Sequence, residues 1–419
     1  MKTFGISIGL SLALAFSPAC ARAGNLPREF NVTPETMPAA PDFLTQLPVP
    51  QATCAALSDS LSLAIVGHHS PEGKHLAIFQ LDAAGKPGPE PTWVTLPKPE
   101  TLGTHSNYPL GLLFHPKLPL LYVWQDIDSP PAEQQQEKNP ALVPWWEFDH
   151  LLIYAVQDGT LELVHAGAHG SGFHLGLKGG TVGLDFEAKH LFVPNTRGDT
   201  PVEGGIAFYT LDEEGLPSED LETTAKNRQP KGIEVNVGRN PMKTKIRRVA
   251  PKKNVACRKV PSGLGWFAGR EAVIMGGNSG CLMADFHDGN LRRSWFDIND
   301  LASIGWAAIA AHPEQPVLYM CLQGSRFFYS IGQVNGWVSL LPQKATLEGN
   351  AHLNGPPVVL EKRAKVVVGD AHALHFLGIA PDGKLDGTCG RLAVSATLVQ
   401  GLAYSQKHDR LYVAVDSEN

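Results

Sequence analysis

A strand pattern that recurs seven times is the feature that most constrains how this chain can fold. Each copy is a short run of alternating apolar residues that ends in a polar or small residue, such as LLYVWQ at 120–125. A repeat of about 46 residues holds four short strands and their turns, which is the size of one β-propeller blade. The centres of the runs are Ala64, Tyr122, Phe192, Val273, Tyr319, Val367 and Tyr412, spaced by 58, 70, 81, 46, 48 and 45 residues.

The segments around each run repeat as well. Each run follows a further apolar strand and a tight turn, as in GLLFHPKLP at 111–119. Six of the seven runs are followed by two more strands around a Gly turn, and Asp-Gly or Asn-Gly marks four of these turns as hairpins. We therefore expect an all-β, seven-bladed β-propeller with four-stranded antiparallel blades. The turns centre on Gly85, Gly159, Gly215, Gly289, Gly336 and Gly383.

Three segments resemble a known family. GLLFHPKLPLLYVWQ at 111–125 and GLAYSQKHDRLYVAVD at 401–416 resemble the repeats of YVTN and lactonase-type seven-bladed propellers. HLAIFQLDAAGKPG at 75–88 is similar to the third-to-fourth-strand segment of the 6-phosphogluconolactonase-like family. The resemblance extends over most of residues 51–416 and lies in positions that build the blades. The resemblance implies the propeller fold. It also leads us to expect a lactonase-like activity.

The first residues predict export. Residues 1–23 read as a secretory signal peptide, because an apolar run at 6–16 is too short to span a bilayer and ARA at 21–23 is a small-x-small cleavage site. Cys20 raises the alternative of a lipoprotein, but Ser17 stands where a lipobox has an aliphatic residue. We expect a monomer in the periplasm or the extracellular space, with no transmembrane segment.

The last repeat is incomplete, because the chain ends at Asn419, directly after a second strand. The N-terminal lead, residues 24–50, contains two stretches with strand character, REFNVT at 28–33 and FLTQL at 43–47. If the lead supplies outer strands to the last blade, strands from both termini close the ring of residues 51–419 and leave no open edge. The alternative is a flexible lead punctuated by Pro.

Two insertions interrupt the 46-residue unit, and long loops on a rigid scaffold are where binding concentrates. The first, residues 126–149, is rich in Pro and Gln and carries Trp145 and Trp146. The second, residues 238–259, is expected as a loop between the third and fourth blades, on the face where the second strands end. Each insertion is either part of a ligand-binding face or a disordered surface insertion.

Charge is concentrated around the second insertion. Residues 226–259 contain twelve Lys or Arg and one acid, a net charge of +11, so the rest of a chain of net charge −6 carries −17. Arg247 and Arg248 are candidate ligands for a small anionic molecule at this face. The segment has no interleaved aromatic residues for stacking on bases, so we expect no sequence-specific nucleic-acid partner.

Polar residues gather where the second strands end, and strand alternation brings these ends to one face of a propeller. A ring of such groups around a central channel is suited to a small ligand or to a cation such as calcium, which prefers oxygen ligands. No cofactor is identified, and the alternative is that each residue binds its own turn. The candidates are His68, His69, Asn195, Asn278 and Asp370 at strand ends, with His105 and His352 at blade entries.

Other residues with reactive side chains are expected to be structural. His115 and His312 lie in FHP and AHP turns on the opposite face. His372 and His375 are three residues apart in an extended stretch, which argues against a metal pair. The five cysteines after residue 23 have no metal-ligand spacing, so we expect buried thiols, with one disulfide as the alternative.

Two functions are compatible with these residues. The first is a lactonase-like hydrolase or lyase for a small acidic or sugar-derived substrate, in which His68 or His105 moves a proton and Arg247 or Arg248 holds an anionic group. The second is a non-catalytic propeller that recognises a protein or glycan partner outside the cytoplasm. The second hypothesis rests on the lack of an identifiable nucleophile, acid–base pair or set of metal ligands in the sequence.

Overall fold

The described part of the chain is all-β. The computed structural model describes residues 28–31, 33–35, 49, 51–70, 72–97, 107–127, 150–168, 183–184, 188–196, 204–217, 253–257, 261–266, 272–277, 280–287, 290–296, 307–322, 326–334, 337–347, 353–394 and 398–416. Within these residues the chain forms 28 strands and a single 3-10 turn at Glu361–Arg363. No helix among them is long and apolar enough to cross a membrane.

The described strands form seven sheets, numbered here in chain order. The lead gives β1 (Arg28–Asn31) and β2 (Thr33–Glu35). Sheet 1 has β3 (Ala52–Ser58), β4 (Leu63–His68), β5 (Leu76–Gln80) and β6 (Thr92–Val94), and sheet 2 has β7 (Asn107–Phe114), β8 (Leu120–Ile127), β9 (His150–Gln157) and β10 (Thr160–Ala168).

Sheet 3 has β11 (Gly183–Leu184), β12 (His190–Thr196), β13 (Gly204–Thr210) and β14 (Lys253–Cys257), and sheet 4 has β15 (Pro261–Trp266), β16 (Ala272–Gly277), β17 (Gly280–His287) and β18 (Asn290–Phe296). Sheet 5 has β19 (Ala307–Ala311), β20 (Val317–Leu322), β21 (Phe327–Val334) and β22 (Trp337–Thr346), sheet 6 has β23 (Asn354–Leu360), β24 (Lys365–Gly369), β25 (Ala373–Ile379) and β26 (Leu385–Ala393), and sheet 7 has β27 (Leu398–Ser405) and β28 (Arg410–Asp416).

Apart from β1 and β2, the strands of each sheet form an antiparallel meander in which neighbours in the chain are neighbours in the sheet. The second strands β4, β8, β12, β16, β20, β24 and β28 contain the seven repeated runs. Every second strand ends at one end of its sheet, which we call the exit end, and in sheets 1 to 6 the third strand begins there. The opposite end, the turn end, carries the connections between strands one and two and between strands three and four.

Successive side chains of a strand point to opposite faces of its sheet, and here both faces carry apolar side chains. The sheets therefore pack face to face. Between sheets 1 and 2, Ile65 and Leu76 meet Leu121 and Leu152, all at most 1% exposed. Comparable clusters join sheet 2 to 3, sheet 5 to 6, sheet 6 to 7 and sheet 7 to 1. At about 1.5–3 kcal/mol for each fully buried large apolar side chain, these interfaces supply the main stabilising free energy.

The turn ends use a repeated hairpin. In sheet 1 the Gly85 N–H donates to the Asp82 carbonyl and the Asp82 N–H to the Lys86 carbonyl, and Asp212 and Gly215 in sheet 3 repeat the pattern. Gly85 and Gly215 have φ of 74° and 78°, a left-handed conformation that favours glycine. The LDxxG sequence therefore encodes a turn of fixed shape.

His115 and His312 are turn residues, which confirms the sequence interpretation. Nδ1 of His115 accepts hydrogen bonds from the N–H groups of Lys117 (3.1 Å) and Leu118 (2.8 Å), and His312 does the same for Glu314 and Gln315. Burial lowers the pKa of both imidazoles, which keeps Nδ1 available as an acceptor. Both side chains serve their own turns at the turn end.

The lead pairs with different sheets from the one expected. β1 adds in parallel to the outer edge of β22 and β2 adds in parallel to the outer edge of β26, so sheets 5 and 6 have five strands. Neither of these two strands pairs with sheet 7, so the predicted pairing beside Arg410–Asp416 is wrong for them, and residues 36–48 lie outside the described residues. The long strands β22 and β26 offer open edges, and an edge strand tolerates Pro34, which has no N–H to donate.

The basic insertion also enters the fold differently. Lys253–Cys257 is the fourth strand of sheet 3, antiparallel to β13, with Lys253 opposite Phe208 and Cys257 opposite Gly204. Residues 218–252 therefore connect strands three and four and attach at the turn end, whereas a loop between blades three and four at the exit end was expected. The local turn at Asp212–Gly215 closes as in sheet 1, but the chain continues before it returns as the outer strand. Residues 128–149 connect β8 to β9 at the exit end of sheet 2.

Candidate functional site

The exit end of sheet 1 presents a histidine with a defined proton position. His68 is the last residue of β4 and is 7% exposed. Its Nδ1 lies 2.7 Å from the Lys74 carbonyl oxygen, and because a carbonyl only accepts, Nδ1 carries the proton. Nε2 is then the basic nitrogen, and it has no hydrogen-bond partner within the described residues. Burial lowers the pKa of His68, so the imidazole is neutral near pH 7.

An aromatic and a cationic side chain adjoin this histidine. The Trp93 ring centroid lies 5.4 Å from that of His68, and Nζ of Lys74 stands 5.8 Å from the Trp93 centroid. Trp93 comes from β6 and packs against the buried cluster around Phe79, against which Tyr412 of sheet 7 also packs. Trp93 is partly buried and Lys74 is exposed, so the pair forms a flat apolar surface with a positive charge beside a neutral base.

His69 faces the other side of sheet 1. Its ring centroid lies 4.6 Å from that of Tyr108 on β7, and its backbone N–H donates to the Gln51 carbonyl (3.1 Å). Thr53 also reaches sheet 2, where its hydroxyl donates to the Pro109 carbonyl (2.6 Å). The two neighbouring histidines therefore point to opposite faces of sheet 1, as alternation along an extended chain requires.

The exit end of sheet 2 carries a buried amide pair. Asn107 and Gln125 are 3% and 0% exposed, and the Asn107 side-chain amide donates to Oε1 of Gln125 (3.0 Å). Nε2 of Gln125 donates to the Pro97 carbonyl (3.1 Å), which ties the segment between sheets 1 and 2 to β8. These groups have the geometry of structural supports.

The exit end of sheet 6 contains a buried carboxylate–imidazole pair. Oδ2 of Asp370 lies 2.6 Å from Nε2 of His375, and the two side chains are 9% and 2% exposed. Oδ1 of Asp370 accepts from the N–H groups of His372 (2.7 Å) and Ala373 (2.6 Å). Burial alone would raise the pKa of Asp370, but these hydrogen bonds outweigh burial and lower it.

The structure describes both backbone and side chain for three of the candidate site residues predicted from the sequence. His68, His69 and Asp370 lie at exit ends, where the sequence places them, but the structure shows no contact between the histidines and Asp370. Asn195 lies in β12, opposite Gly205. The remaining candidates lie outside the described residues: His105, Asn278, His352, Arg247, Arg248, Trp145 and Trp146.

Sequence reasoning missed Lys74, Trp93 and the link between Asp370 and His375. A cation six residues after a strand-end histidine was the available signal for Lys74, because a hairpin brings such positions together. In the part of the chain that the structure describes, no three His, Cys, Asp or Glu residues cluster in a way that would hold a metal ion. Calcium in a central channel therefore stays a prediction of the sequence.

Comparison with known proteins places the fold. No protein-family model and no curated protein matches the sequence. Among solved structures, the chain is similar to a periplasmic gluconolactonase of Pseudomonas aeruginosa, with 12% identity, a TM-score of 0.58, and 84% of this chain and 88% of that chain covered. It is also similar to a 6-phosphogluconolactonase candidate from Bacteroides uniformis, with 12% identity, a TM-score of 0.54, and 84% and 89% covered.

A third similar structure has a different description. The Swd1 β-propeller domain of Myceliophteria thermophila is 8% identical, with a TM-score of 0.52, and 89% of this chain and 95% of that domain are covered. The resemblance to lactonase-type propellers is thus confirmed at the level of the fold. Because one propeller fold serves proteins with different functions, the fold alone does not identify the chemistry of the site.

Proposed function

We propose that this protein is an exported, lactonase-like hydrolase and that His68 is its general base. The observation that carries the proposal is the state of His68. Its Nδ1 proton is fixed on the Lys74 carbonyl, and its Nε2 is unprotonated near neutral pH. A base that accepts a proton from water must have this form, and its orientation must be held by a second group.

The proposed reaction opens a cyclic ester with one water molecule. Nε2 of His68 takes a proton from the water, and the water oxygen bonds to the lactone carbonyl carbon. The bond between that carbon and the ring oxygen then breaks, and the ring oxygen leaves as an alcohol with the proton that His68 returns. Trp93 offers a flat surface to the sugar-like ring, and Lys74 offers a positive charge to an acidic substituent.

We also propose that the seven sheets are seven blades of one closed ring. β3 lies beside β7 on one side and beside β27 on the other, so the first sheet neighbours both the second and the last. The similarity to solved propellers supports the same arrangement. Export rests on the signal-like residues 1–23, and fractionation of cells that produce the tagged protein tests it.

The deciding experiment for the activity is a screen of sugar-acid lactones and other small acidic lactones with purified protein. We expect His68→Gln to lower kcat/KM by about 100-fold or more, in the range for loss of a general base. A glutamine side chain is polar and uncharged like the neutral imidazole, but it cannot accept a proton from water. His372→Ala, an exposed histidine of sheet 6, is the control.

The pH profile adds a second criterion. Because the pKa of His68 is lowered, the wild-type acid limb is expected below about pH 6.5, the ordinary value for histidine. The limb is expected to disappear in His68→Gln. Lactone hydrolysis that is unaffected by His68→Gln would exclude the proposed base.

A second candidate is a propeller that binds a protein or glycan partner without catalysis. The observation in its favour is that Gln125 and Asp370 use their polar atoms within the fold, as structural residues do. Absence of hydrolysis across the screen, together with binding to a glycan array that Trp93→Ala abolishes, would favour this function over the hydrolase.

A further inference from the structure

The same tyrosine hydrogen bond joins three pairs of sheets. A tyrosine of a second strand donates its hydroxyl to the carbonyl of a turn-end glycine in the following sheet. Tyr122 of sheet 2 bonds Gly215 of sheet 3 (2.7 Å), and Tyr319 of sheet 5 bonds Gly383 of sheet 6 (2.6 Å). Tyr412 of sheet 7 bonds Gly85 of sheet 1 (2.5 Å).

The third bond differs from the others in what it connects. Sheets 2 and 3, and sheets 5 and 6, follow each other along the chain, so covalent continuity already holds each pair together. Sheet 7 is the last in the chain and sheet 1 the first. Tyr412 therefore makes, between the last sheet and the first, the contact that Tyr122 and Tyr319 make between consecutive sheets.

Asp59 adds a second polar contact at the same seam. Its carboxylate accepts a hydrogen bond from the Ser405 hydroxyl (2.5 Å) and another from the Lys407 N–H (3.1 Å). Ser405 also holds its own turn, because its hydroxyl oxygen accepts from the His408 N–H (3.0 Å). Two side chains, one from each sheet, thus tie the turn ends of sheets 1 and 7.

The glycine at this seam leaves little room. A Cβ on Gly85 would lie 2.6 Å from the His408 ring, and the φ of 74° strains any residue with a side chain. Gly215 and Gly383 are similarly packed against Leu120 and Gln315 of the preceding sheets. Burial raises the pKa of Tyr412, so its phenol remains a donor at physiological pH.

We propose that Tyr412 and Asp59 form a side-chain latch that closes the ring between sheets 7 and 1. These two side chains join the first and last sheets, where pairing of strands from both termini was expected. Tyr412 packs at this seam against the buried cluster around Phe79, and Trp93, whose ring centroid lies 5.4 Å from that of His68, packs against the same cluster. Resting on the proposed function, Tyr412 is then a positioning residue for the catalytic base.

The test compares two isosteric variants that remove one identical hydrogen bond each. In Tyr412→Phe we expect amide hydrogen exchange of Leu398–Ser405 and Ala52–Ser58 to accelerate by about tenfold or more. In Tyr319→Phe, the matched control at a covalently continuous pair, exchange of these strands stays as in the wild type. Asp59→Ala is expected to repeat the Tyr412→Phe pattern, and equal or absent effects in Tyr412→Phe and Tyr319→Phe would overturn the latch.

Chemical modification measures the accessibility of His68 independently of amide exchange. Carbethoxylation of His68, mapped by peptide mass spectrometry, is expected to be faster in Tyr412→Phe than in wild type or Tyr319→Phe. If exchange accelerates while His68→Gln leaves hydrolysis intact, the latch stands and the proposed function fails. If His68→Gln abolishes hydrolysis while exchange is unchanged in Tyr412→Phe, the function stands and the latch fails.

Discussion

Three polar side chains at strand ends accept hydrogen bonds from backbone groups of their own turns. His115 and His312 accept from N–H groups two and three residues later, and Asp370 accepts from two N–H groups in the same way. A buried polar group that loses its partner costs about 1–3 kcal/mol, so each such residue fixes its hairpin. Asp370 differs from the two histidines because it also binds a second buried side chain, His375.

The Asp370–His375 pair predicts a pH-dependent contribution to stability. We expect Asp370→Asn to lower the free energy of unfolding at pH 7 by about 1–3 kcal/mol, because the substitution removes a charge-assisted hydrogen bond to a buried imidazole. The pKa of Asp370 is lowered in the fold, so this contribution is complete above about pH 4 and is lost as pH falls through the folded value.

Urea unfolding between pH 7 and pH 3 measures this contribution. Asp382→Asn is the control, because Asp382 is exposed and paired with exposed Lys384, and a change within about 0.5 kcal/mol is expected. A gap between Asp370→Asn and wild type that stays constant down to pH 3 would contradict the ionic origin.

The buried thiols are predicted to be unreactive in the folded protein. Burial raises the pKa of Cys54 and of Cys321 to about 12, and the thiolate is the reactive form. At pH 8 we expect iodoacetamide to leave both cysteines unmodified in native protein and to modify both in urea, as peptide mapping will show. Fast modification of native Cys54 would mean that the contact between β3 and β7 opens readily.

At the scale of single residues, the sequence predicts where a side chain lies on its strand better than it predicts which groups that side chain contacts. The placement of His68 and Asp370 at strand ends follows from alternation alone. The link between Asp370 and His375 could not be predicted, because it depends on a three-residue loop that brings residues five apart into contact. The same holds for Lys74, whose carbonyl and ammonium groups act on His68 and Trp93 only after the hairpin forms.

At the scale of strands, the regular elements were predictable and the outer ones were not. All seven second strands follow from their runs of alternating apolar residues, and β4, β8, β20 and β24 bury most of these residues. Lys253–Cys257 was missed because a five-residue outer strand within a basic stretch lacks a clear apolar pattern. Residues 28–33, which contain β1, have strand character in the sequence, whereas β2 was not predicted, and nothing in the lead identifies β22 and β26 as partners.

The paired lead predicts a localised effect of truncation. Deleting residues 24–35 is expected to expose the outer edges of β22 and β26 and to accelerate amide exchange at 343–346 and 388–390, where the register pairs them with the lead. Open edges also favour association between molecules, so light scattering should increase. The outer strand of sheet 2, Thr160–Ala168, serves as the internal reference, and unchanged exchange at 343–346 would contradict the pairing.

At the scale of the whole molecule, the two ends of the sheets separate two kinds of chemistry. His68, Trp93 and Asp370 lie at exit ends. The basic segment attaches to sheet 3 at the turn end, because β13 ends and β14 begins there. β13 has seven residues, so the two ends of sheet 3 are about 23 Å apart at about 3.3 Å per residue.

This separation predicts that polyanion binding and hydrolysis respond independently to the basic segment. Residues 226–259 carry a net charge of +11, and we expect this charge to concentrate anions near the turn end, where the segment is anchored. At physiological salt, exposed charges are screened over about 8 Å, which is much less than the distance between the two ends. Arg247→Ala/Arg248→Ala is therefore expected to elute from heparin at lower salt than wild type, while kcat/KM for an anionic lactone stays within about twofold.

The measurements are heparin elution and lactone kinetics at 50 and 300 mM NaCl for both proteins. A salt-dependent loss of kcat/KM in the double variant would show that the segment acts at the exit end, although it is anchored to sheet 3 at the turn end.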